Sequence, residues 1–370
     1  MKNILYLGPY KDSNGMGYAS RRYIDCLSIN TNINLSIRPI FYTKSHIVNP
    51  LELNRYDQYE QNSSYSYDVV IQHGNPDMLE YNGRFGKNIG IVEIDTNNIE
   101  RSGWIDKLNL MDEICVGSTN ALDSLYNSSL FKTAAKILPE PYDLDKYSET
   151  YDPFFQYEAS NKPFIFYTIG QYGEQKNIKG IVLAYLLEFN PNDNVKLFIK
   201  TGDYHMNNED LESHIGFDIQ QIKNAIRKTS DRCCDIDMIY GILKDQDIIR
   251  LHHGASCYVN AVRADNFGSC AIEAMLSNKL IINTRGVGSS TYLNSNNALM
   301  VDSIPTSVYN PTSINTNSHT IYEQWCEPDI VSLRAKMRQA YFMSQEDKQK
   351  LLNNYHKDVF NRNKITENIV

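Results

Sequence analysis

The stretch Arg263-Ala-Asp-Asn-Phe-Gly-Ser-Cys-Ala-Ile-Glu-Ala-Met275 decides the fold of this chain. Its two carboxylates, Asp265 and Glu273, stand eight positions apart around a Phe267-Gly268 pair. Upstream, Ala255-Ser-Cys-Tyr-Val-Asn260 has the composition of a strand. Downstream, the apolar run from Cys270 to Ser277 predicts a short helix, Leu280-Ile-Ile-Asn283 a second strand, and Gly286-Val-Gly288 a turn. Strand, loop, helix, strand is the βαβ unit of a parallel sheet. Ligands of such sheets bind beyond the carboxyl ends of the strands, where a loop enters a helix. Gly268 lets a ligand approach the backbone closely, and the helix N-terminus behind it favours anionic groups. Asp265 falls in that loop and Glu273 within the helix. A carboxylate only accepts, so either one suits a pair of sugar or ribose hydroxyls. Taken alone, the pair is equally served by a helix cap at Asp265 and a solvated helix residue at Glu273.

The chain around this stretch is long enough, at 370 residues, for two domains. With 42% apolar and 22% charged residues it has globular composition. A formal net charge of −8 argues against a broad footprint for nucleic acid or an anionic membrane and leaves room only for a local basic patch. No apolar run approaches the ~18 residues of a membrane span. Asn3-Ile-Leu-Tyr-Leu7 is too short for a signal-peptide core and reads as a first strand, so a cytoplasmic protein is expected, at most peripheral to a membrane. The seven cysteines have no C-x-x-C spacing, and neither a disulfide framework nor a metal site is expected.

Taken in order, Ile4 to Leu7 is followed by a glycine-rich loop from Gly8 to Gly17 and a helical pattern from Tyr18 to Leu27. Strand, glycine loop and helix in that order make a candidate nucleotide or phosphate site, while Gly15-x-Gly17 taken alone serves a plain loop as well. The third glycine of the dinucleotide fingerprint is absent, which disfavours a nicotinamide oxidoreductase. Further strands are predicted at 33–37, 68–72, 87–95, 113–118 and 136–139. The second of these runs into Gln72-His-Gly-Asn-Pro76, which places His73 at a strand exit, where active sites of α/β proteins form. There it is a general base, a hydrogen-bond partner or a turn residue. An interdomain linker is expected within 148–163, giving an N-terminal domain over 1–155 and a second over 156–345. The second half restarts the alternation with a strand over 164–169, the loop Gly170-Gln-Tyr-Gly-Glu-Gln-Lys-Asn177 and a helix over 178–189. Strands over 195–199 and 236–240 and helices over 218–227 and 244–252 lead back to the opening unit. Lys176 and Asn177 at a helix N-terminus offer a cation and backbone donors to a diphosphate. The tail is helical over 330–341 and 345–360, and its last part, 346–370, is expected to cross back to the N-terminal domain.

Together these pieces resemble a GT-B-fold glycosyltransferase of the family-4 retaining type over nearly the whole chain. The acidic-x7-acidic motif from Asp265 to Glu273 is the strongest element. Supporting it are Gly15-Met-Gly17, Gln72-His73, Glu93-Ile-Asp95, Asp112 to Ser118, Gly170 to Asn177 and Trp325-Cys-Glu-Pro-Asp329. The stretch from Val92 through Ser118 is similar to a sub-branch of the family. The resemblance implies two Rossmann-like domains facing each other across a cleft, an acceptor-binding N-terminal one and a nucleotide-sugar-binding C-terminal one, with the terminal helix packing back.

It also implies roles for individual residues. Glu273 matches the acidic residue that holds the ribose hydroxyls, and Asp265 the one that contacts the transferred sugar, helped by the backbone of Asn266, Phe267, Gly268 and Ser269. Here the first acid is aspartate where the family usually has glutamate. Lys176, beside Gly170 and Asn177, matches the lysine of a phosphate-binding basic pair, while Gln171 stands where the family has arginine. Arg263 and Lys200 are the candidates to replace it. Gly15 and Gly17 would close over the phosphates, and His73 matches a histidine near sugar and acceptor. The implied reaction transfers sugar from a UDP- or GDP-sugar to a glycan or lipid-linked saccharide with retention, without metal or cofactor. Non-catalytic nucleotide-sugar binding, or a protein or DNA-base acceptor, are the alternatives.

Overall fold

The computed structural model describes every residue except 43–52, 153, 204–205, 230–231, 309–319, 321 and 370. The chain divides into two compact units. The first comprises Met1–Asp143 with Ser307–Gln324 and Asp358–Val370, the second Leu144–Thr306 with Trp325–Lys357.

Six parallel strands build the first unit: β1 (Lys2–Gly8), β2 (Ile33–Pro39), β3 (Val69–Gly74), β4 (Lys87–Val92), β5 (Glu113–Val116) and β6 (Ala135–Ile137). Their order is β2-β1-β3-β4-β5-β6. All six residues of β3 are buried, as expected of a parallel strand covered on both faces. The helix Gly15–Ser28 follows β1, starts on the side chain of Asn14, which accepts from the Gly17 amide at 2.8 Å, and buries Ala19, Tyr23, Ile24 and Leu27 on one face.

The second unit repeats the plan with β7 (Phe164–Gln171), β8 (Val195–Gly202), β9 (Ile236–Tyr240), β10 (Cys257–Asn260), β11 (Leu280–Thr284) and β12 (Leu299–Val301). All pairings are parallel and the order is β12-β11-β10-β7-β8-β9. Counted within the unit this is 6-5-4-1-2-3, the doubly wound order, whose direction reverses between β7 and β10. Phe166, Leu197, Ile199, Val259 and Ile282 pack one face of the sheet against the helix Ile178–Glu188 and its residues Ile181, Val182 and Tyr185.

Where structure and sequence expectation part, burial decides. The segment 148–163, expected as a linker, belongs to the second unit. Phe154 and Phe155 sit edge-on to Phe198 at 5.8 and 5.0 Å, and Arg250 Nε donates to the Asp152 carbonyl. The expected division at 155/156 therefore falls at 143/144. The helix expected from 345 to 360 breaks after Gln345–Asn353. Tyr355 turns inward there and its hydroxyl donates to the Lys279 carbonyl at 2.7 Å. The chain rejoins the first unit at 358, later than the expected 346. There the helix Arg362–Ile369 places Ile365 and Ile369 in the core, and the Thr366 hydroxyl donates to the Cys26 carbonyl. A helix expected from 218 starts at Asn208 and runs to Ala225. Its first half buries only Leu211 and Ile215, so little apolar periodicity marked it. The strand β12 was not anticipated, because three residues carry no readable alternation. Among the described residues no helix is long and apolar enough to cross a membrane.

Candidate functional site

The reversal between β7 and β10 opens a mouth at the carboxyl ends of two neighbouring strands, and the predicted motifs of the second unit converge there. β7 ends at Gln171 and the loop after it carries Lys176 and Asn177; the loop after β10 carries Arg263 to Gly268. Side chain and backbone staple the two loops together. Asn177, at φ 52° and ψ 36°, caps the helix Ile178–Glu188 and donates from Nδ2 to the Ala261 carbonyl at 2.9 Å. The Arg263 amide donates to the Gln175 carbonyl at 2.8 Å. The Arg263 guanidinium reaches the Glu174 carbonyl and carboxylate and both carboxylate oxygens of Glu327. That guanidinium ties the two loops to each other and to Glu327.

Asp265 is 6% exposed and serves as the hub of the second loop. Its Oδ1 accepts from the Ser289 amide at 2.9 Å and its Oδ2 from Asn260 Nδ2 at 3.2 Å, while its carbonyl accepts from the Gly288 amide. Asn260 Nδ2 also donates to Asn283 Oδ1 at 2.7 Å and lies 3.1 Å from the Ser289 hydroxyl. The carboxyl ends of β10 and β11 and the turn at 286–289 are thus bound into one buried polar network. Gly268 caps the helix Ser269–Leu276 at φ 80°, in the left-handed region, and a Cβ there would stand 2.6 Å from the Ser289 Cβ. Phe267 turns into the core, 3% exposed and edge-on to Tyr292 at 5.1 Å. Asn266 and Ser269 remain at the half-buried surface of the mouth.

Glu273 lies in the second turn of the helix Ser269–Leu276, 7% exposed. Its Oε2 is 3.3 Å from His252 Nε2, and His252 Nδ1 is 2.7 Å from the Tyr167 hydroxyl. Sequence reading missed both partners: His252 appeared as the end of a helix and Tyr167 as one more apolar residue of a strand. Two lysines stand at the carboxyl ends of the neighbouring strands, one on β8 and one on the loop after β7. Lys200 occupies the carboxyl end of β8 in register with Ile169 of β7, on the face that also carries Phe198. Burial holds its ammonium below the usual lysine value, while Cys270 and the Glu273 carboxylate pull the other way. Lys176 is half-buried, and a Cβ on Gly170 would approach its stem to 3.2 Å. Neither lysine makes a hydrogen bond or ion pair with another described residue.

Gly15, Gly17 and His73 belong to the first unit, whose sheet reverses between β1 and β3. Gly17 is required by a close approach, since a Cβ there would fall 2.1 Å from the Asp12 carbonyl oxygen. Gly15 is exposed with open space around it. Arg21 holds the preceding loop from below, donating to the Tyr10 and Asp12 carbonyls at 2.8 Å. His73 is 2% exposed, with Nδ1 within reach of the Tyr6 hydroxyl at 2.7 Å and the Ser20 hydroxyl at 3.1 Å. Burial pushes its pKa down to about 3, so the ring is neutral near pH 7.

Two six-stranded parallel sheets with covering helices, one in the doubly wound order, define the GT-B fold. Solved structures of that fold superpose on the whole chain. An α,α-trehalose-phosphate synthase (UDP-forming) from Burkholderia xenovorans, in complex with glucose-6-phosphate, is 11% identical at a TM-score of 0.65, over 99% of this chain and 98% of that one. Anabaena HepE in complex with UDP-glucose is 11% identical at a TM-score of 0.64, over 100% and 98%. The N-terminal domain of Candida albicans trehalose-6-phosphate phosphatase is 11% identical at 0.66, over 100% and 96%. No protein-family model and no curated protein matches the sequence.

Proposed function

We propose that this chain is a glycosyltransferase of the retaining, family-4 type, moving a sugar from a nucleotide sugar to an acceptor hydroxyl. The observation that carries the reading is the convergence, at the β7/β10 mouth, of two lysines without a hydrogen-bond or ion-pair partner among the described residues, a helix N-terminus and the buried Asp265/Glu273 pair. In this reading Glu273 accepts from the ribose hydroxyls, and Lys176 faces the diphosphate together with the first amides of the helix Ser269–Leu276. Lys200 supplies the charge that Gln171 lacks. Asp265 acts chiefly by shaping the loop Asn266–Ser269, whose backbone meets the sugar. The chemistry requires stabilisation of the departing diphosphate as the anomeric carbon becomes oxocarbenium-like, and fixed cations in a partly buried mouth provide it. Retention follows from attack on the face the diphosphate leaves, the acceptor's proton passing to a phosphate oxygen, with no protein nucleophile. The first unit is assigned the acceptor, a glycan or lipid-linked saccharide, with His73 as a neutral hydrogen-bonding ring.

HepE and the trehalose-phosphate synthase, solved with UDP-glucose and glucose-6-phosphate, make UDP-glucose the first donor to try. The test is a thermal-shift panel of UDP-, GDP-, ADP- and TDP-sugars with and without magnesium, on the parent and on Lys176→Ala. A ligand that binds only the folded state raises the melting temperature. One donor should do so without magnesium and less in Lys176→Ala. No shift with any donor would overturn the reading, and a shift without sugar release to any acceptor would favour a non-catalytic binder.

A further inference from the structure

The predicted pair of carboxylates leaves unexplained why a histidine with no exposed surface stands behind Glu273. His252 closes the helix Asp245–Gly254, and its ring lies edge-on to Tyr167 with centroids 5.5 Å apart and beside Tyr258 at 6.1 Å. Tyr167 and His252 are both fully buried. Burial raises the Tyr167 hydroxyl well above its usual value, so it stays protonated and has a hydrogen to give. A carboxylate only accepts, so the hydrogen between His252 and Glu273 Oε2, 3.3 Å apart, belongs to Nε2, and Nδ1 takes the Tyr167 hydroxyl at 2.7 Å. The tautomer is thereby set from inside the core, in the way an outer partner orients a ligating histidine. Rotation of Glu273 away from that donor would leave a buried N–H without an acceptor, which is costly.

We propose that His252, with its tautomer set by Tyr167, is a positioning residue that holds the Glu273 carboxylate in the one orientation able to accept from a ribose diol. The proposal rests on the reading of Glu273 as the ribose acceptor given above. It adds that discrimination for the sugar hydroxyls of the nucleotide is built into the core, on β7 and the helix Asp245–Gly254, outside the acidic motif.

The experiment compares, by calorimetry on the full chain, the affinity for UDP with that for 2′,3′-dideoxy-UDP, substituting the base that the donor panel selects. Both ligands share base and diphosphate, so loss of general fold would weaken both alike, whereas misplacing Glu273 reduces only the preference for ribose. The parent should prefer the ribose form by about tenfold or more, the worth of a hydrogen bond to a charged acceptor. His252→Leu should bring the ratio close to unity, His252→Gln, which keeps an amide donor, should restore most of it, and Tyr167→Phe should fall between. Should His252→Leu not fold, Tyr167→Phe, which removes one oxygen, carries the test alone. An unchanged ratio in the variants overturns the positioning role. A parent that binds both nucleotides equally, or neither, instead overturns the assignment of Glu273 on which the proposal stands.

Discussion

Replacing Asp265 with alanine separates a carboxylate that builds the loop from one that only touches substrate. The side chain accepts from the Ser289 amide at 2.9 Å and from Asn260 Nδ2 at 3.2 Å, and it is almost entirely buried. A hydrogen bond to a charged group contributes about 1.5–3 kcal/mol, and a buried donor left without its acceptor costs about 1–3 kcal/mol. Asn260 keeps Asn283 Oδ1 as an acceptor, so its loss falls at the low end, whereas the Ser289 amide has no second acceptor among the described residues. The expected destabilisation of the second unit is about 3–4 kcal/mol. For a unit of this size each kcal/mol shifts the midpoint by about 2–4 °C, so its melting transition should fall by about 6–16 °C. Asp265→Asn, retaining one oxygen for the Ser289 amide, should lose about half as much. Scanning calorimetry resolves this if the transition of the first unit stays in place and serves as an internal reference. An Asp265→Ala protein that melts within about 1 °C of the parent yet has lost turnover would refute the reasoning. The carboxylate would then act on the substrate and not on the loop.

The buried His73 makes acid stability a second test. The unfolded ring titrates near 6.5 and the folded one near about 3, so between these values the unfolded state binds the additional proton and the parent loses stability as pH falls. Relative to His73→Gln, the first unit should lose about 1.4 kcal/mol per pH unit below 6.5, read from urea midpoints; parallel profiles would show that the ring is not held neutral. Lys200 works in the opposite range. Its folded value lies below the ordinary 10.5, so its burial penalty is present at neutral pH and is relieved as pH rises toward 10.5. The parent should gain stability over that rise relative to Lys200→Met, and the same substitution should weaken nucleoside diphosphate binding. Tight binding retained in Lys200→Met would remove Lys200 from the diphosphate and leave Lys176 alone there.

The alternation of strand and helix was legible because its signals are local. A run such as Val-Val-Ile in β3, or the spacing of Ala19, Tyr23 and Leu27, carries its period within a few residues. The acidic motif, its glycine and Lys176 were equally visible, since each sits in a loop between two readable elements. The signal for His252 was present but bland: a histidine three residues after a buried Ile249, which serves a core as well as a site. Arg263 and Lys200 could not be told apart as replacement cations from sequence, because both stand near strand exits. What separates them is Glu327, 64 residues away, which engages the arginine.

By itself, then, the sequence determined which segments are strands and helices and which of its loops bear carboxylates and cations, because propensity and periodicity act over a few neighbours. Only the tertiary structure decided which of those side chains are spent on each other. The doubly wound order places β10 between β7 and β11, which brings His252 to Tyr167 across 85 residues and Asn260 to Asn283 across 23. Such partnerships are set by strand order and burial, where an unpaired polar group is costly, and no local pattern records them.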